Sequence, residues 1–342
     1  MCRFNTVQIL IATACFAAYI LPTSAVAEEL WRESYLTPAE AEEVYGTTAD
    51  AITVEEAQAL LLKLVNQARL EAGVPPLAPH PLASVLAQTH ADSMATERYV
   101  SHFDLAGRKC ELRWNSLGQT DHIAENVAYY EINHPVSLTP RFVARIHEHW
   151  LLSDDHRENE LNPMHTHLGC GFAVVAAGQL TQAAVVAEFA VDYGDYDRLP
   201  PAAKPGQTLI LQGWLDPQRA QLAYIGLGSE DLPFARDVEY QMSHIGGYSP
   251  PEVALAFLPT RYPLWTPDVR YRRRIVATDP QTGEFELAIT MEPHWPDAAY
   301  YFTVWALNTD QPDEPFCTMT QVVLLDQAEE PPATDSAATL VP

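Results

Sequence analysis

The sequence predicts an α+β domain followed by an all-β domain, and three observations carry that reading. Residues 53 to 152 repeat apolar side chains at helical spacing in three stretches. Two runs rich in Val, Phe and Ala, separated by a glycine turn, close that part of the chain. Beyond a proline-rich stretch the pattern changes to short strands without helices. Helices first and one late hairpin argue for an α+β sandwich rather than a doubly wound sheet.

At the start, Arg3, an apolar stretch from Val7 to Leu21 and Ser24-Ala25-Val26-Ala27 ahead of Glu28-Glu29 form the parts of a secretory signal peptide. Cleavage is expected after Ala27, making residues 1–27 a leader and the remainder an exported chain, in the periplasm or outside the cell. The apolar stretch is short for a membrane span and no second one follows, so no transmembrane segment is expected. Cys15 after Ala12-Thr13-Ala14 loosely resembles a lipoprotein acceptor site, but the aliphatic residue usual three places before the cysteine is missing.

Residues 28–52 read as a polar lead-in with room for one short helix. Thr53 before Val54-Glu55-Glu56 is an N-cap with acids in the first turn, and Ala57, Leu60, Leu61, Leu64, Val65 and Ala68 give the helix one apolar side. It should stop near Gly73-Val74-Pro75-Pro76. A second helix starts at about Pro81 and ends near Tyr99, which places His102 just past its C-terminus. From Leu105 to Ile132 no period persists, and an irregular segment with a short helix around Glu125 is expected. Leu138 to Leu152 resumes helical spacing, and Thr166 to Ala177 with Gln182 to Tyr193 reads as a β-hairpin.

Arg198 to Gln207 holds three prolines and a glycine and marks the boundary of a first domain at 53–197. Strands are expected at Gln207–Leu211, Gln221–Leu227, Val269–Ala277, Glu284–Thr290, Tyr300–Ala306 and Thr318–Leu325, an immunoglobulin-like β-sandwich over residues 207–326. Residues 327–342 are expected to be a disordered tail.

The formal net charge of −25 repels a phosphate backbone, and Arg272-Arg273-Arg274 is the one compact basic run, so nucleic acid is excluded as a partner. With Cys2 and Cys15 removed, Cys110, Cys170 and Cys317 remain; one internal disulfide, Cys110 with Cys170, is the plausible pair, leaving Cys317 over.

Several polar residues stand in apolar frames. These are His102, Glu125-Asn126, His147-Glu148-His149, Ser153-Asp154-Asp155-His156-Arg157, and His165 with His167. The ordered series His90-x-x-x-Met94, Ser101-His102, Glu125-Asn126-x-Ala128, Trp150-x-x-Ser153-x-x-His156-Arg157-x-Asn159, Thr166-His167-x-Gly169-x-Gly171 and Phe189-x-x-x-Tyr193-Gly194 resembles the CAP superfamily. That superfamily comprises cysteine-rich secretory proteins, antigen five and pathogenesis-related proteins, with a bacterial SCP-like branch. The resemblance runs from about Thr53 to Gly194. It implies an α-β-α sandwich with a central cleft, in which many eukaryotic members place two histidines and two glutamates able to hold a divalent metal. His102 matches the first of these histidines and Glu125 the first glutamate. Ser153 stands near the place of the second glutamate, Met164 in the register of the second histidine, and Ala124 replaces the usual glycine.

The resemblance therefore implies a cleft lined by His102, Glu125, Ser153, His156, His165 and His167, taking a small or lipid-like ligand. A divalent metal such as zinc would fall to His102, Glu125 and His167. The β domain would attach the protein to a partner or the cell surface. The alternative is a metal-assisted extracellular hydrolase, peptidase-like, with Glu125 as base. A third reading makes His102 and Glu125 a hydrogen-bonded pair that fixes a loop to the sheet. Ser101 lacks the glycine-flanked strained turn of a serine nucleophile. Asp154-Asp155-His156-Arg157 reads as a helix end with an ion pair, and His147 and His149 as surface residues. Trp214, Trp265, Trp295 and Trp305 read as core aromatics, with a carbohydrate-binding face as the alternative.

Overall fold

The computed structural model describes residues 30–33, 36–246, 251–259, 271–274, 277–310 and 314–325. The leader at 1–27, the tail at 327–342 and Trp265 lie outside the described residues. In chain order the first half contains β1 (Leu30–Glu33), α1 (Pro38–Tyr45), α2 (Val54–Ala72), β2 (Ala78–Pro79), α3 (Pro81–Glu97) and α4 (Cys110–Ser116). It continues with β3 (His122–Ile132), α5 (Pro140–Leu152), α6 (Asp154–Leu161), β4 (His167–Ala177) and β5 (Leu180–Val191). The second half contains β6 (Gly194–Tyr196), β7 (Ala202–Ala203), β8 (Thr208–Leu215), β9 (Ala220–Glu230), α7 (Val238–Ser243), β10 (Leu255–Leu258) and β11 (Tyr271–Arg274). Then come β12 (Ala277–Thr278), β13 (Glu284–Thr290), β14 (Ala298–Asn308) and β15 (Pro315–Leu325).

The first half is a three-layer sandwich around a sheet of order β1-β3-β5-β4-β2, in which β3, β5 and β4 run antiparallel. α2 begins where Thr53 and Glu56 cap each other reciprocally and ends at Gly73, whose left-handed φ of 75° lets the chain turn away. Its apolar side, with that of α5, covers one sheet face: Leu61, Val65, Phe142, Ile146 and Trp150 meet Ala128, Tyr130, Leu168, Cys170, Phe172 and Phe189. α3 covers the other face through Ala87, Ala91, Met94 and Ala95 against Val127, Tyr129, Ala184 and Val186. Residues alternate between these faces along each strand, so Glu125 and Glu188 project to the α3 side. Across the sheet Glu125 is paired with Glu188 and Glu188 with Gly169.

α3 lies close on β4 because Gly169 and Gly171 have no side chain. A Cβ at Gly169 would stand 2.3 Å from the Ala83 and Ser84 backbone, and one at Gly171 2.3 Å from that of Ala87 and Gln88. The approach brings α3 to the strand's open edge. Cys170 N–H donates to Ser84 Oγ and Gln58 Nε2 donates to Cys170 O, while Gln88 exchanges two hydrogen bonds with the Phe172 backbone.

Two expectations are corrected here. Glu125 is not on a short helix but in the middle of the eleven-residue strand β3, an inner strand of the sheet. Covered on both faces, such a strand shows no clean apolar–polar alternation. Cys110 and Cys170 are not joined: Cys110 packs with Leu86, Trp114 and Ile123 on the α3 side, Cys170 with the α2 and α5 layer on the other.

The second half packs a six-stranded sheet, β11-β10-β9-β14-β15-β7, against a four-stranded sheet, β12-β13-β8-β6, around Leu211, Ile225, Phe285, Phe302, Val304 and Val323. β6, from the last residues of the expected first domain, joins the four-stranded sheet, and β7, from the stretch where a boundary was expected, joins the six-stranded one. The halves are docked. Asn115 Nδ2 donates to Thr320 O and Asn115 Oδ1 accepts from Val322 N, while Lys109 pairs with Glu230, which also accepts from the Tyr301 hydroxyl.

Candidate functional site

α3 ends on Arg98, which adopts a left-handed φ of 65°, and buried Tyr99 and Val100 anchor the chain before His102. Ser101 has a local job. Its hydroxyl accepts from Phe103 N–H at 3.0 Å and its carbonyl accepts from His90 Nε2 at 2.8 Å. Burial and the nearby Arg113 keep His90 neutral, its pKa lowered to about 4.

His102 Nδ1 lies 2.9 Å from Glu125 Oε1. The other carboxylate oxygen, Oε2, accepts from the Arg113 guanidinium, which reaches in from α4. Arg113 Nη1 also donates to the backbone carbonyls of His102 and Arg108, at 3.0 and 3.2 Å, and Nη2 stands 3.7 Å from Glu188 Oε1. The centre is closed: side-chain exposure is 6% for His102, 7% for Arg113 and 0% for both glutamates. Its electrostatics divide the two acids. Burial pushes the Glu125 carboxyl up, but Arg113 and the His102 hydrogen bond outweigh it and hold the group well below the usual carboxylate range. Burial beside the Glu125 charge pushes Glu188 far up despite Arg113, so Glu188 keeps its proton. One carboxylate and one guanidinium are left, a neutral balance inside the fold.

The second half covers the loop that carries His102. Gln241 of α7 donates to the carbonyls of Phe103 and Asp104, at 3.1 and 3.0 Å. The Arg236 guanidinium lies 3.6 Å over the Phe103 ring.

Of the six residues expected to line a cleft, the structure brings together His102 and Glu125. Ser153, His156 and His165 belong to the opposite sheet face: Ser153 joins α5 to α6, His156 packs near Trp150, and His165 stacks on Phe189. His156 offers its backbone carbonyl to Asn126, whose side chain also points to that face. His165 lines a groove of about 810 Å³ between the halves with His122, Met164, Phe316 and Cys317. His167 is on the α3 side but packs against His80, with ring centroids 5.5 Å apart. The surface reading of His147 and His149 is corrected: His147 is buried on Glu160 at 3.1 Å, and His149 is within 2.8 Å of the Tyr130 hydroxyl. Asp154 to Arg157 open a helix of their own, α6, with Arg157 paired to Asp154.

These residues do not fit a divalent cation. Both Glu125 oxygens are engaged, and the place between Glu125 and Glu188 where a cation would sit is taken by Arg113. Among the described residues no three His, Cys, Asp or Glu side chains are grouped to hold a metal.

Sequence reasoning missed Arg113 and Glu188. Glu188 had a signal, as the lone acid in Ala183-Ala184-Val185-Val186-Ala187-Glu188-Phe189-Ala190-Val191. Arg113, in the mixed Cys110-Glu111-Leu112-Arg113-Trp114, had none.

A helix–sheet–helix sandwich with a histidine–glutamate pair under the end of its second long helix defines a class of domain. Residues 62–189 match the model described as "CAP: Cysteine-rich secretory protein family", and the chain carries a CAP domain there. Among solved structures the chain is similar to an extracellular protein containing an SCP domain from Bacillus anthracis, at 22% identity, covering 46% of this chain and 44% of that one, with a TM-score of 0.32. It is similar also to an outer surface protein of Borrelia burgdorferi, at 17% identity, covering 41% of this chain and 96% of that one, TM-score 0.34. A third is a cysteine-rich secretory protein from Staphylococcus aureus, at 17% identity, covering 41% and 40%, TM-score 0.28. The match thus spans less than half the length of the Bacillus and Staphylococcus proteins. No curated protein matches the chain. No helix among the described residues is long and apolar enough to cross a membrane.

Proposed function

We propose that the chain is an exported, non-catalytic CAP-domain binding protein, in which the His102–Glu125 centre holds the fold together and recognition is left to surfaces outside it. The observation that carries this reading is the seat of Arg113: its guanidinium fills the place of a metal, and with His102 it engages both oxygens of Glu125. A zinc ion on His102, Glu125 and His167, a lipid-like ligand beside them, or hydrolysis with Glu125 as base each needs an open position there, and the side chains of His102, Glu125 and Arg113 are at most 7% exposed. Export rests on the leader-like start, and attachment to a partner through the β half is the role that remains for it.

The test is a calorimetric zinc titration of the chain from Glu28 onward, beside an Arg113→Ala variant checked for folding by circular dichroism. The parent is expected to show no stoichiometric binding. The variant exposes His102, Glu125 and Glu188 to one another and is expected to gain a site. Stoichiometric binding by the parent that disappears in His102→Ala would overturn the proposal.

A further inference from the structure

The described tryptophans of the second half divide. Trp295 stacks on Tyr300 and Trp305 on Tyr224, with ring centroids 5.2 and 5.5 Å apart, and both are partly buried against core clusters. Trp214 is 38% exposed and stacks on no aromatic ring among the described residues. It stands on the outer face of the four-stranded sheet, where the register places Asp195 of β6 on one side of it and Glu284 of β13 on the other. The next row sets Gln212 beside Glu286, and Gln212 donates to Asp197. The result is a groove of about 690 Å³ whose lining, with Asp279, includes five carboxylates and, among the described residues, no Lys or Arg.

We infer that this groove binds a glycan of amino sugars bearing unsubstituted amines, with the Trp214 ring as the platform for a sugar face. The chemistry of the lining selects that occupant. A pyranose presents C–H groups on one face, which pack on an indole, and donor groups around its rim. Asp195 and Glu286 make no hydrogen bond or ion pair among the described residues, so acceptors stand ready on both sides of the ring. A lining made almost wholly of acceptors matches hydroxyl and ammonium donors, and its charge repels uronic acids and phosphorylated sugars. A basic peptide matches the charge but not the surface: β8 is paired on both sides, so the backbone beneath Trp214 has no group left for a peptide main chain.

The inference rests on the reading of the chain as a binding protein, and its failure leaves the closed His102–Glu125 centre, which the zinc titration decides, untouched. The experiment is calorimetry of the whole chain from Glu28 with a β-1,4-linked glucosamine hexamer at pH 6. Cellohexaose, a galacturonate oligomer and hexalysine serve as comparators. The glucosamine hexamer is expected to bind, cellohexaose at least tenfold more weakly, and galacturonate not at all. Trp214→Ala is expected to weaken binding at least tenfold. The Asp195→Asn, Glu286→Gln pair, which alters only exposed side chains, is expected to weaken it at least fivefold and flatten its salt dependence. Absence of hexamer binding, or binding unchanged in either variant, would overturn the proposal. So would cellohexaose binding as tightly as the amino sugar. Hexalysine binding that matches the hexamer and survives Trp214→Ala would mark the face as an acidic patch only.

Discussion

Glu188 separates a buried acid that stabilises the fold from one that strains it. A carboxyl whose folded pKa is raised contributes stability that is present below its unfolded value, near pH 4.3, and lost as pH rises, because the unfolded chain releases a proton the folded chain keeps. Glutamine is the uncharged isostere. Glu188→Gln is therefore expected to be more stable than the parent by roughly 1–3 kcal/mol at pH 7.5, with the gap closing below pH 4; thermal melts at the two pH values check this, and a variant less stable at pH 7.5 would refute the assignment. Arg113 works in the opposite sense. Removing it leaves the Glu125 charge buried without its cation, a loss of about 3–5 kcal/mol by urea unfolding. His102 and Glu125 were legible in the sequence as polar residues in apolar frames, but their partner Arg113 was not, because a buried cation on a short mixed helix looks like any surface arginine.

Among the elements, the long helices were the readable part. Thr53 with Glu56 and Gly73 punctuate α2, and the apolar spacing of α5 names the side it buries. The inner strand β3 was hidden because both faces are covered, and α6 because Asp154-Asp155-His156-Arg157-Glu158-Asn159-Glu160-Leu161 has almost no apolar side and is held by Arg69, whose guanidinium donates to the carbonyls of Glu160, Asn162 and His165. The Gly169-x-Gly171 motif acquires a physical reason as the track on which α3 lies. Gly171→Ala puts a methyl group into the Ala87–Gln88 backbone, and the expected outcome is destabilisation by about 1–3 kcal/mol or more, read from the urea midpoint. A neutral result would mean that α3 can ride outward at little cost.

At the scale of the molecule, the halves are joined by polar contacts whose partners are far apart in sequence, such as Asn115 with Thr320 and Val322. No local pattern announces such contacts, which is why two independent domains were the natural expectation. The parent is expected to melt in one calorimetric transition. Asn115→Ala combined with Lys109→Met should split it in two, the first lowered by about 1–3 kcal/mol, whereas a single unsplit transition would show that the apolar contacts of Leu112 suffice. The dressing of β4 matters at this scale as well. An unprotected strand margin is a template on which further copies can polymerise, yet here the amides of Gln58 and Gln88 and the hydroxyl of Ser84 stand where another strand would add. The helices that fill the interior thus also give the sheet a finite width, so that crowding many copies together need not turn them into a fibre.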